Sequence, residues 1–195
     1  MIFFYNEKNC FLSGSIFGAP HAAFWIEILS FLGVSEITFF GTAGALPNSN
    51  LEFGEIAILN KTVSDEGISK HYFEAKSSGF MSFDLDGAVT ERFSSDLSRM
   101  KLKTKLVTGV STDAIFMETP EKIRFYEEAH AKVIDLEASA VVAVCNALGL
   151  KVSVALLVTD KLRQNTWEPG FKNSFVKESK KQLLNWFEQF TIQHT

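Results

Sequence analysis

Val152-Ser-Val-Ala-Leu-Leu-Val158 is apolar at six of seven positions and shows no polar–apolar alternation. A strand wetted on one face alternates, so a run of this kind predicts a strand buried on both faces. Such a strand needs layers above and below it, and the rest of the chain supplies them. Between Pro20, suited to a first helical turn, and Gly33, suited to a C-terminal cap, Ala23, Phe24, Ile28, Leu29 and Leu32 recur at helical spacing. Further helices are predicted over 89–100, 119–129, 136–148 and 171–190. Thr119 serves as N-cap of the second of these, with Pro120 behind it. The remaining strands are predicted over 11–17, 37–40, 55–63, 105–110 and 133–134. Strands alternating with helices predict an α/β sheet covered on both faces, as one domain over residues 1–195. Ligands of such sheets collect beyond the carboxyl ends of strands, which directs attention to Gly41-Thr42, Ser111 to Phe116 and Thr159-Asp160.

Charge and composition exclude several classes. With 19 Lys+Arg against 23 Asp+Glu the net charge is −4, without the basic footprint of a nucleic-acid binder. No apolar run approaches the roughly 20 residues that span a bilayer, and Met1 to Lys8 lacks a signal-peptide pattern. A cytoplasmic protein with neither membrane nor nucleic-acid partner is expected. Cys10 and Cys145 make no disulfide framework, which fits a reducing compartment, and both read as core residues. The histidines, at 21, 71, 130 and 194, are scattered, so no metal site is expected. The one surplus is phenylalanine, with 19 residues.

Five places can carry chemistry. Gly41-Thr-Ala-Gly-Ala-Leu46 follows a strand and reads as a structural turn or as a loop that contacts an anion or a sugar. Asp160, at the exit of the apolar strand, is either a loop-capping carboxylate or a general acid raised by partial burial. Glu137 is the one charge in Leu136 to Leu148 and shares a face with core positions. It is either a first-turn acid favoured by the helix dipole or an acceptor for vicinal sugar hydroxyls. Asp65 to Tyr72, with His71, reads as a solvated turn. His21 stands at a helix start, where anions are favoured, or simply on the surface.

Six segments occur in an order that resembles the nucleoside phosphorylase-I family: Gly18 to Ala23, Gly41 to Leu46, Asp65 to Tyr72, Ser111 to Phe116, Val133 to Ala140 and Val158 to Asp160. The family includes purine nucleoside and uridine phosphorylases and the methylthioadenosine/S-adenosylhomocysteine nucleosidases. The resemblance covers roughly residues 11–190 and implies a central mixed, twisted sheet flanked by helices in three layers. It implies Asp160 as the catalytic acid that protonates the base. Leu136, Glu137 and Thr42 would hold the ribose, and Phe116, Ala43 and Gly44 the base. Gly18, His21 and Thr42 would meet phosphate, the co-substrate, with no other cofactor. His71 would serve a neighbouring subunit's site in a homo-oligomer, a dimer or hexamer.

The departures fall on the anion. Phe39 stands where the family carries a phosphate arginine, and an N-terminal segment that supplies a second one, and the water-activating glutamate of the nucleosidases, looks reduced. The four arginines, Arg92, Arg99, Arg124 and Arg163, occupy no phosphate position. Met117 to Glu121 lacks the Gln and Arg that read uracil, so a purine-type base is expected. The resemblance therefore implies phosphorolysis of a purine-type nucleoside. The alternatives are hydrolysis of the methylthioadenosine type and nucleoside binding with reduced catalysis.

Overall fold

The protein is described by a computed structural model for residues 2–6, 9–13, 15–74, 80–100, 102–163 and 166–194. In chain order the elements are β1 (Ile2–Asn6), β2 (Asn9–Ser13), α1 (Ala19–Phe31), β3 (Glu36–Ala45), β4 (Ile56–Asp65) and α2 (Ser69–Tyr72). Then come β5 (Met81–Asp84), α3 (Gly87–Arg99), β6 (Thr104–Thr112), α4 (Pro120–Glu128), β7 (Ala131–Asp135) and α5 (Ala138–Leu148). The chain ends on β8 (Lys151–Leu162), β9 (Trp167–Pro169) and α6 (Ser174–His194), and a 3₁₀ turn over Ile115–Met117 lies between β6 and α4. Among the described residues no helix is long and apolar enough to cross a membrane.

The strands form one mixed sheet in the order β2-β1-β3-β7-β6-β4-β8-β9, with β5 on β4 and a further β3–β8 pairing. Pairs β3–β8, β4–β6 and β6–β7 are parallel. The apolar run in β8 is explained by two cores. Val152, Val154, Leu156 and Val158 pack with α1 and α5 on one face, through Ala22, Ile26, Val141 and Val144. Ala155 and Leu157 pack with Phe40, Phe93, Val176 and Leu183 on the face covered by α3 and α6. These are the helix–sheet–helix layers expected from the sequence.

Several local expectations are corrected. The segment over 11–17 is strand only to Ser13, and residues 15–17 take no regular form. Gly41 to Ala45 is not a turn: β3 continues through it, paired in parallel from Gly41 opposite Leu156 to Ala45 opposite Lys161 on β8, with a bulge between Ala43 and Gly44. The glycines serve close packing, since a Cβ at Gly41 would lie 2.9 Å from Leu156 Cδ2 and one at Gly44 2.8 Å from Asp160 Oδ2. Asp160 lies inside β8 rather than at its exit, because β9 pairs with that end, Asp160 opposite Pro169. Phe24 and Leu32, expected on the apolar stripe of α1, are 59% and 62% exposed, and Phe31 beside them is 90% exposed. Ala19, Ala22, Ala23, Ile26 and Leu29 make the buried stripe instead.

The Asp65–Tyr72 segment is not a solvated turn. Glu66 is buried, and its carboxylate accepts from Ser64, Ser69 and Ser139 hydroxyls and from the Ile68 and Ser69 N–H groups. Burial opposes the charge, but these donors outweigh it and hold the carboxyl below its usual range. Asp65 in turn accepts from Lys122, Tyr126 and Thr112, tying the segment to α4. Cys145 is buried in α5, and burial pushes its thiol up. The side chain of Cys10 lies outside the described residues.

Candidate functional site

Strand β1 pairs with β3 up to Phe39, and β7 pairs with it only from Gly44. Between them the edge of β3 opposite β8 has no strand partner among the described residues, and an unpaired edge offers backbone donors and acceptors. A cleft of about 1160 Å³ opens there. It is bounded by the carboxyl end of β8, the start of α5, the 3₁₀ turn and α6, where parallel sheets place their ligands.

Of the residues expected at the site, Asp160, Glu137, Leu136, Thr42, Phe116, Ala43 and Gly44 all line this cleft. Gly18 and His21, expected at phosphate, stand outside its lining. The Gly18 N–H, at φ +82°, donates to Glu137 Oε1 at 2.6 Å. His21 Nε2 accepts from Trp25 Nε1 at 3.0 Å, so the exposed ring is occupied within α1. His71, expected to serve a neighbouring subunit, is exposed on α2, beside α1, to which Tyr72 Oη binds through Glu27 at 2.9 Å. Burial, and then that bond, push the Tyr72 hydroxyl up to about 12.

Glu137 occupies the N-cap position of α5 with φ −133°, not the first turn, and makes no capping bond itself. Its side chain is thereby free to turn into the cleft. Burial raises its pKa, opposed by the Gly18 and Leu136 backbone N–H groups. Helix capping falls to Asp135, which accepts from Ala138 N at 2.8 Å and Glu137 N at 3.3 Å through Oδ2. Oδ1 accepts from Ser111 Oγ at 2.5 Å, and Ser111 Oγ accepts from Ser139 N at 2.8 Å. Asp135 also lines the cleft, and burial together with the Glu137 charge lifts its carboxyl to about 7.

Asp160 is held from both sides. Oδ1 accepts from Thr159 Oγ1 at 2.9 Å and Oδ2 from Trp167 Nε1 at 2.9 Å. Glu118 faces it across the cleft from the segment ahead of α4. Burial, and then the Asp160 charge, raise the Glu118 carboxyl to about 7, against a smaller opposing effect of Lys122. Sequence reasoning passed over Glu118 and Asp135. The available signals were position: Glu118 follows β6 and precedes the Thr119 cap, and Asp135 ends β7 three residues before α5 begins.

At the mouth, Phe116 is 95% exposed and Trp167 57%, two aromatic faces open to a planar ligand. The cleft thus combines paired carboxyl groups, hydroxyl acceptors, an open strand edge and aromatic surface, suited to a small heterocycle joined to a polyol. Among the described residues no group of three His, Cys, Asp or Glu is placed to hold a metal ion.

A family model described as the phosphorylase superfamily matches residues 1–190. The chain is 27% identical over 158 residues to a guanosine phosphorylase of Halorubrum lacusprofundi, covering 81% of this chain and 64% of that relative's length. In fold it is similar to purine nucleoside phosphorylase from Toxoplasma gondii in complex with immucillin-H, at TM-score 0.74 and 22% identity over 89% of this chain and 68% of that one. It is also similar to the Campylobacter jejuni 5'-methylthioadenosine/S-adenosyl homocysteine nucleosidase, at TM-score 0.70 and 16% identity over 96% and 89% of the two chains.

Proposed function

The chain belongs to the phosphorylase superfamily, and from that premise we propose that it cleaves the N-glycosidic bond of a purine-type nucleoside with inorganic phosphate. The observation that carries this reading is the convergence of Glu137, Asp160 and Thr42 on one cleft. Similarity to a guanosine phosphorylase supports the purine-type base.

Each residue has a role set by its geometry. Glu137 keeps Oε2 for the ribose hydroxyls while Oε1 is bound to Gly18 N–H, so the sugar is gripped by a carboxylate whose rotamer is already fixed. Leu136 packs beneath the sugar, and Phe116, Ala43 and Gly44 form the base side. As the C1′–N bond breaks, its electron pair leaves with the base, and a carboxyl proton from the Asp160 side neutralises it. A phosphate oxygen, aligned at Thr42, forms the new bond to C1′, giving ribose 1-phosphate. Both Asp160 oxygens already accept hydrogen bonds, so Glu118, whose carboxyl holds its proton up to about 7, is the group that keeps a proton in this pair.

The test is a nucleoside panel assayed with and without phosphate. Phosphate-dependent release of free base together with ribose 1-phosphate is expected. Base release indifferent to phosphate would point to hydrolysis, and stabilisation by nucleosides without turnover to a binding protein; either overturns the reading.

The assembly we propose is a homo-oligomer that covers the outer face of α1. Phe24, Phe31 and Leu32 are exposed there, and His71 lies on the adjoining α2. Sedimentation is expected to report a dimer or larger species, with Phe31→Glu shifting it to monomer; a wild-type monomer at micromolar concentration would contradict this.

A further inference from the structure

The geometry points to Lys180 and Thr42 as the two sides of an oxyanion site in which Lys180 supplies the positive charge for inorganic phosphate. This inference rests on the phosphorolytic reading for its purpose, but the site itself follows from how α6 lies on the sheet.

Helix α6 buries Val176 and Leu183 against Phe40 and Leu157. Lys180 is four residues after Val176 and three before Leu183, so it falls on the same inward stripe. A lysine on the core-facing stripe of an amphipathic helix needs something to face. What it faces is the cleft, whose lining includes Lys180, Leu183 and Leu184.

Thr42 faces the same way. Phe40 pairs with Ala155 and Thr42 with Leu157, and Phe40, Ala155 and Leu157 all belong to the core under α6. The levels agree as well. Phe40 meets Trp186 with ring centroids 5.7 Å apart. Toward its N-terminus α6 climbs the sheet: Ser179 Oγ donates to Gly54 O at 2.7 Å, and Gly54 N donates to Val158 O at 3.0 Å. These bonds place Ser179 near the Gly54–Val158 contact, and Lys180, the next residue, lines the same cleft as Thr42 and Leu157. From the Phe40–Trp186 contact, six helical residues rise about 9 Å to Lys180 and two strand residues about 6.6 Å to Thr42, so both stand beyond that contact on the cleft side.

Charge bookkeeping leaves Lys180 for this purpose. Among the described residues two cationic side chains line the cleft, Lys180 and Arg163. Arg163 is bound through Nε and Nη2 to Glu168 Oε2 at 3.1 and 2.8 Å. Lys180 has no ion pair or hydrogen bond among the described residues. The position at which the resemblance places a phosphate arginine is Phe39, 2% exposed and packed into the opposite core. A lysine is a point-charge partner for phosphate, completed here by the Thr42 hydroxyl and the open β3 edge.

Lys180 is exposed, so its replacement leaves the core intact. Calorimetry with inorganic phosphate alone is expected to show binding to the wild type, at least about tenfold weaker binding to Lys180→Ala, and recovery in Lys180→Arg. In turnover, Lys180→Ala is expected to raise KM for phosphate at least about tenfold while KM for the nucleoside stays within about twofold. Equal phosphate affinity in wild type and Lys180→Ala, or none in either, overturns the site. Nucleoside cleavage indifferent to phosphate overturns the proposed reaction instead, and the calorimetric comparison still decides the site.

Discussion

Asp160→Asn is expected to lower phosphate-dependent base release at least about a hundredfold, the lower range for loss of a positioned acid–base group. Asn keeps its oxygen as acceptor for Trp167 Nε1, and its amide N–H donates to the Thr159 hydroxyl, so the fold around the strand end is retained while the carboxyl is lost. The same variant makes a second statement about pH. Asp160's charge is part of what raises Glu118 to about 7, after burial. A reaction that needs a proton on this pair loses rate as the pH rises through that value. Removing the neighbouring negative charge lowers the Glu118 pKa, so the falling limb of the residual activity moves to lower pH. Glu118→Gln, which can neither hold nor give that proton, is expected to lower base release at least about tenfold and to leave no limb near 7 in what remains. Pre-steady-state or initial-rate assays of base release across pH 5 to 9 read all three outcomes. Activity of Asp160→Asn within a few-fold of wild type, with an unmoved limb, would remove Asp160 from the chemistry.

What the sequence revealed depended on whether a residue's role was local. The burial of β8 was legible because seven adjacent residues carry it, and α4 because Thr119 accepts from Lys122 N at 3.3 Å as its spacing predicts. Strands β1, β5 and β9 were not, since each is short and stabilised by a partner distant in sequence or across a turn. The glycines at 41 and 44 suggested a turn, yet their requirement is set by Leu156 and by Asp160 itself on β8. Glu137 and Asp160 were legible as odd carboxylates in apolar runs. Glu118 was not, because its distinction is a neighbour 42 residues away, seen only when β6 and β8 converge on the cleft. Lys180 lies between these cases: its place on the stripe of Val176 and Leu183 is in the sequence, but what that stripe meets is not.

Asp135→Ala is expected to give the largest loss of stability. The carboxylate satisfies the Glu137 and Ala138 N–H groups and the Ser111 hydroxyl, inside a fully buried network. Losing a helix cap costs about 1 kcal/mol, and each buried polar group left without a partner about 1–3 kcal/mol. A total near 3 kcal/mol lowers Tm by roughly 6–12 °C for a chain of this size. The pH dependence separates this cap from ordinary packing. Asp135 titrates from 3.8 in the unfolded chain and about 7 in the folded one. Between those values the folded state binds the extra proton, so stability falls as pH rises through the window and levels off above it. Glu118, also raised to about 7, adds a slope of the same sign. Asp135→Asn cannot titrate but retains an acceptor for the helix N–H groups. Its Tm is therefore expected to vary less between pH 4 and 7 than that of the wild type, while staying above that of Asp135→Ala. Equal pH slopes in wild type and Asp135→Asn would show that the carboxyl does not carry a proton into the folded state. An Asp135→Ala Tm within about 2 °C of wild type would show that the Ser111–Asp135–Ser139 network does not hold the start of α5, and with it Glu137.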